Sequence, residues 1–192
     1  ISGAKCRNCK TKISPRYVAT EVLMMLITLG LFAKFGLSAE FGLFLALATC
    51  LMVTIVADFE TYIMPDSMTL SAFILGLVNL YYFEQNWADG AMGFAVGLFV
   101  ALGMHYGYKW IMKKDGLGMG DVKFLPVAGL WMGLTLLPYY FIFAGLLGIL
   151  TAIFWRIAYK NPVFPFGPAL AAGMFVICVF KDTVANIILS VV

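Results

Sequence analysis

Apolar residues run almost unbroken through most of this chain, in stretches separated by short clusters of glycine, proline and charge. The stretches fall near 17–35, 39–57, 66–83, 88–112, 121–136, 138–158 and 164–190. None shows the period-two alternation of a barrel strand. In lipid a chain can otherwise satisfy its backbone only as helices. The expected fold class is therefore all-α: a polytopic membrane protein of about seven transmembrane helices. Pro138 is expected to open the sixth helix, and Pro165 and Pro168 stand at the start of the seventh. Residues 1–16 are polar. The chain thus divides into a cytoplasmic, cysteine-containing segment at 1–16 and a transmembrane domain at 17–192.

Composition agrees. Of 192 residues, 62% are hydrophobic and 12% charged, about half the charge of a soluble domain. A secreted globular domain is excluded, and one signal peptide would not produce apolar runs over the whole length. The basic residues are few and flank apolar runs, so no nucleic-acid partner is expected; the lipid bilayer is. With residues 1–16 in the cytoplasm, Lys5, Arg7, Lys10, Lys12, Arg16, Lys109, Lys113, Lys114, Lys123, Arg156 and Lys160 fall on that side. Only Lys34 and Lys181 of the 13 basic residues fall on the other. The positive-inside rule supports this orientation and the count of seven.

The same topology brings two carboxylates to one depth. Asp58 closes the inbound second helix, and Asp121 opens the outbound fifth. Ionisable groups at the edge of the hydrocarbon are costly and point to function. An acid at a helix N-terminus, such as Asp121, is electrostatically welcome; one at a C-terminus, such as Asp58, needs another justification. Two carboxylates held together share one proton, so one member can act as general base on water and the other as general acid on a carbonyl. On helix-end grounds alone, Asp58 is expected to hold the shared proton. Asp121 is preceded by Gly116-Leu117-Gly118-Met119-Gly120, where Gly118 and Gly120 would let backbone approach an extended substrate. Asp66, after Pro65, reads as the N-cap of the third helix. Glu60 and Asp115 read as solvated or paired with Lys113, Lys114 or Lys123. Glu21 is expected to face a polar cavity, and His105 to be packed. Cys50 and Cys178 lie in apolar runs as small hydrophobes. Cys6 and Cys9 form Cys-x-x-Cys, a spacing that suits two zinc ligands, and no second pair follows.

Together these stretches resemble the bacterial type IV prepilin peptidases, a family of aspartic intramembrane proteases. Asp58 to Pro65-Asp66 is similar to the family's first aspartate region, and Gly118-Met119-Gly120-Asp121 to its Gly-x-Gly-Asp signature. Cys6-Arg7-Asn8-Cys9, with Ile13-Ser14-Pro15-Arg16-Tyr17 and Glu21, is similar to its cysteine loop and following helix. Pro165-Phe166-Gly167-Pro168-Ala169 is similar to a proline-rich stretch near its C-terminus. The resemblance implies a multi-pass enzyme of the bacterial inner membrane with its active site at the cytoplasmic edge. Such an enzyme removes a basic leader from prepilins or pseudopilins, with Asp58 and Asp121 catalytic. The peptidase step needs no cofactor. The resemblance also implies N-methylation of the new N-terminus from S-adenosylmethionine, and zinc held by two Cys-x-x-Cys pairs. In this numbering the second pair stands alone, at Cys6 and Cys9, and the family's first helix does not occur; either the numbering begins after a missing segment or the protein is naturally short, which leaves zinc and methyl transfer open. Gly118, Gly120 and Lys123 are the substrate-binding candidates, Lys123 as partner to an acid early in the mature pilin. The alternatives are a preflagellin peptidase of archaeal type and, in another class, a proton-coupled transporter that uses Asp58 and Asp121 as a relay.

Overall fold

The computed structural model of the protein describes residue 8 and residues 14–113, 118–159 and 164–191. Among these residues it is helical throughout, with no strand. In chain order the helices are α1 (Pro15–Phe35), α2 (Ala39–Thr61), α3 (Asp66–Asn79), α4 (Trp87–Met112), α5 (Met119–Tyr159), α6 (Gly167–Val179) and α7 (Lys181–Val191). A five-residue π turn, Leu80–Glu84, extends α3. Four of these, α1, α2, α4 and α5, are long and apolar enough to cross a membrane.

Helices occupy each of the seven expected apolar stretches, but two boundaries move. The break expected at Pro138 lies at Gly133, the one non-helical residue inside α5 (φ 65°, ψ 178°). Gly93 of α4 packs on Gly129, and Gly97 on the Leu125 carbonyl, so the first part of α5 runs antiparallel to α4. Beyond Gly133 the chain runs back: Tyr140 Oη donates to the Leu170 carbonyl at 3.3 Å, and Gly148 packs on the Phe166 ring. Gly133 is therefore a reversal, which needs a positive φ that proline cannot adopt. Asp89 of α4 caps the new helix, its Oδ1 accepting the Leu134 N–H at 3.0 Å.

The seventh traverse is likewise divided. It breaks at Phe180 into α6 and α7, and Lys181, the first residue of α7, pairs with Glu84. Asn79 Nδ2 donates to the same Glu84 at 2.9 Å, and Lys34 Nζ donates to the Val179 carbonyl at the end of α6. Lys34 and Lys181, the two cations assigned to the opposite side by charge counting, thus meet on one face. The two aspartates lie on the other.

The core is built around the first part of α5. Phe124, Ala128, Trp131 and Met132 are buried there, against Leu47 and Leu51 of α2 and Met174 and Ile177 of α6. Trp131 Nε1 donates to the Ala72 carbonyl of α3 at 2.9 Å. Lipid is as apolar as these side chains, so close approach at small residues and such buried hydrogen bonds hold the bundle. Cys178 is buried and Cys50 half-buried, both free. α1 is peripheral, with Leu31 its buried residue. Glu21 lies on its exposed face and not in a cavity.

Candidate active site

Asp58 sits in the last turn of α2, with only 6% of its surface exposed. The helix closes there because Tyr62 adopts a left-handed conformation (φ 56°) and its N–H caps the Asp58 carbonyl at 3.0 Å. Pro65 then leads into α3. Asp66 is consequently the first residue of α3 and not its N-cap, a position taken by Pro65 without a side-chain bond. The Asp66 carboxylate instead receives Lys123 Nζ at 2.8 and 2.7 Å.

Asp121 lies in the first turn of α5. The Gly118 carbonyl accepts the Val122 N–H at 3.2 Å, and the Asp121 carboxylate bonds back to the Gly118 backbone N–H. The carboxylate thereby satisfies one of the free amides of the helix start.

The justification that Asp58 lacked in the sequence comes from α6. Gly167 opens that helix, and its N–H, free of any intrahelical partner, donates to Asp58 Oδ2 at 2.9 Å. The negative end of α2 is thereby offset by the positive end of α6. The helix-end asymmetry that assigned the shared proton to Asp58 no longer holds, because both carboxylates face a helix N-terminus.

Met64 connects the two halves. A methyl group placed on Gly120 would lie 2.9 Å from Met64 Cβ, and one on Gly167 would lie 2.5 Å from Met64 Cε and 2.6 Å from Asp58 Oδ2. The buried Met64 side chain therefore touches the residue before Asp121 and the residue that donates to Asp58. Neither glycine can carry a side chain without displacing a neighbour of the carboxylates.

Asp58 and Asp121 line one cavity of about 820 Å3, with Tyr62, Met64, Pro65, Asp66, Gly118, Gly120, Lys123 and Phe166. Three helices open onto it by their N-termini: α3 at Asp66, α5 at Met119 and α6 at its N-cap Phe166. Each N-terminus carries roughly half a positive charge. Past the cavity, whose wall includes Met104, α4 bears the exposed Tyr106, Tyr108 and Trp110, the amphipathic rings typical of a membrane–water interface. The pair thus lies at a membrane edge.

The structure brings together Asp58, Asp121, Gly118, Gly120 and Lys123. It pairs Lys123 with Asp66 and leaves Glu60 exposed on α2. His105 is packed, as expected. Cys6 and Cys9 lie outside the described residues. Among the described residues, no group of three or more His, Cys, Asp or Glu side chains could hold a metal. The sequence reading missed Met64 and the Gly167 donor. The one available signal for the latter was a glycine between two helix-starting prolines, Pro165 and Pro168.

A multi-pass helical membrane protein with two carboxylates at one edge of the bilayer, under converging helix N-termini, is the class that fold and site define. The type IV leader peptidase family matches residues 45–153, which hold both aspartates, and the bacterial N-terminal domain of the same peptidase group matches residues 1–35. The chain belongs to the type IV leader peptidase family. It is 35% identical over 186 residues to a prepilin leader peptidase/N-methyltransferase of Neisseria gonorrhoeae, covering 94% of this chain and 63% of that protein. It is 28% identical over 186 residues to the protein so named in Pseudomonas putida, covering 94% and 64%. With that of Stutzerimonas stutzeri it shares 30% over 184 residues, covering 94% and 64%. The chain thus spans somewhat less than two thirds of the length of these relatives. They favour neither the preflagellin nor the transporter alternative. No solved structure matches the chain.

Proposed function

We propose that this chain carries the catalytic part of a prepilin leader peptidase of the aspartic type, with Asp58 and Asp121 as the catalytic pair. The observation that carries the reading is their joint position in one cavity, each bonded by a helix-opening glycine amide. The pair shares one proton. The ionised member takes a proton from water as it attacks the scissile carbonyl. The protonated member donates to the carbonyl oxygen, and the amine leaves after a further proton transfer. The substrate is a prepilin or pseudopilin, as the relatives' names support. Gly118 and Gly120 give its backbone access, and Lys123 meets an acid beyond the cut once released from Asp66.

The cavity faces the cytoplasm of a bacterial inner membrane, with residues 1–16 on the same side. The orientation rests on the distribution of Lys and Arg along the chain. The relatives' second activity makes S-adenosylmethionine the cosubstrate to test, and Cys6 and Cys9 remain the zinc candidates.

The experiment is cleavage of a prepilin by the purified protein in detergent or lipid, read by mass spectrometry. Asp58→Asn and Asp121→Asn each abolish cleavage while the thermal transition is kept. Appreciable turnover in either variant removes the shared-proton mechanism. An added methyl mass on the product, dependent on S-adenosylmethionine, reports the transfer activity.

A further inference from the structure

A second cavity, an apolar groove of about 510 Å3, lies between α3, α4 and α5. Thr69, Leu70 and Phe73 of α3, Phe94 and Leu98 of α4, and Val127 of α5 form its walls. Its upper rim is Asp66 and Lys123, which also line the cavity of the two aspartates. The two spaces therefore meet at that ion pair.

We infer that this groove is the lateral docking site for an apolar helical segment of the substrate, entering from the bilayer beside the bond to be cut. The inference rests on the peptidase reading above. Depth is the first argument. Met104 stands at the catalytic cavity, and Leu98 and Phe94 lie six and ten residues back along α4. At 1.5 Å per residue they sit roughly 9 and 15 Å deeper, which reaches the middle of a hydrocarbon core of about 30 Å. An occupant lies in lipid, not in water.

Chemistry is the second argument. Among the described residues, no charged side chain lines the groove below the Asp66–Lys123 pair, and the Thr69 hydroxyl is spent on the Pro65 carbonyl at 3.5 Å. The walls offer side-chain contact and no polar side-chain partner, so the occupant is apolar and must satisfy its own backbone as a helix.

Reactivity is the third. A peptide bond inside a helix is closed to attack, so the substrate must unwind before it meets the aspartates. The groove supplies the place: polar groups begin at Asp66 and Lys123, where a helix end can exchange its own hydrogen bonds for those of the enzyme. The helical part rests in the groove and the extended part crosses Met64 to the catalytic pair.

The test uses the whole chain in lipid vesicles with Asp58→Asn to hold substrate uncut. A photoreactive residue at Leu98 should cross-link to the apolar segment of a full-length prepilin. The same residue at Phe99, which is 74% exposed on the adjoining face of α4, should not. Cross-links from Leu98 to lipid alone, or equal yields from both positions, overturn the proposal. In the active chain, Leu98→Trp is compared on a membrane-inserted prepilin and on a short soluble peptide spanning the cut. A loss in kcat/KM on the inserted substrate at least tenfold larger than on the peptide supports the groove. Equal losses on both overturn it. A wild-type chain that cleaves neither substrate removes the peptidase reading instead, and the cross-link still reports on the groove.

Discussion

The backbone N–H of Gly167 donates to Asp58 Oδ2 at 2.9 Å, across 109 residues of chain. The bond fixes one carboxylate of the pair to the start of α6. An alanine methyl at 167 would sit 2.6 Å from that oxygen. Gly167→Ala should therefore displace Asp58 and lower kcat by at least about 100-fold, the usual cost of a small misplacement at a reacting group. Steady-state cleavage kinetics measure it. A variant with wild-type kcat would show that the Asp58 position set by Gly167 does not matter.

Gly120 offers a second reading of the same geometry from the other aspartate. Its methyl would meet Met64 Cβ at 2.9 Å, an atom that cannot swing away. Gly120→Ala should lower cleavage by roughly 10- to 100-fold. Gly30→Ala and Gly103→Ala, where nothing lies within 4 Å, should stay within about threefold of wild type. Similar losses at all four glycines would mean general loosening of the bundle and not local control of the pair.

The Asp66–Lys123 bridge is solvent-accessible, with side-chain exposures of 71% and 53%, so it contributes at most about 1 kcal/mol. Lys123→Ala should lower the thermal midpoint by no more than about 4 °C. Under the proposed substrate role it should still cut kcat/KM about tenfold on a prepilin with an acid just beyond the cut, and much less on one where that acid is neutralised. Equal effects on both substrates would confine Lys123 to its bridge with Asp66.

The reversal at Gly133 predicts a stability effect far from the carboxylates. Alanine there meets a positive-φ, extended-ψ conformation that is essentially reserved to glycine and costs about 1–3 kcal/mol, and it also collides with the Asp89 carboxylate. Asp89→Ala removes the acceptor of the Leu134 N–H, a helix cap worth about 0.5–2 kcal/mol. Thermal unfolding in detergent should rank wild type above Asp89→Ala and Asp89→Ala above Gly133→Ala. An unchanged midpoint in Gly133→Ala would show that the turn tolerates a side chain.

The residues that were legible in the sequence are those whose cost is local. Asp58 and Asp121 stand out because an acid in an apolar chain is expensive wherever it lies, and the Lys and Arg distribution placed both at one edge. What escaped is set by partners distant in the chain. Pro138 is the stronger helix breaker on paper, yet α5 breaks at Gly133, because only there do a positive φ and the carboxylate of Asp89 coincide. Asp66 has the composition of a cap, but Lys123, 57 residues on, claims it. Asp58 looked unsupported because its support, the Gly167 amide, belongs to a helix that the sequence places far away.

The three helix N-termini around the aspartates have a consequence for how the site keeps its charge. Among the described residues, Lys123 is the one cation lining the cavity, and it is bound to Asp66. The field over Asp58 and Asp121 is therefore supplied by peptide groups, which cannot be titrated, acetylated or exchanged for a neutral side chain by a single substitution. A mutation can move that field only by moving the backbone.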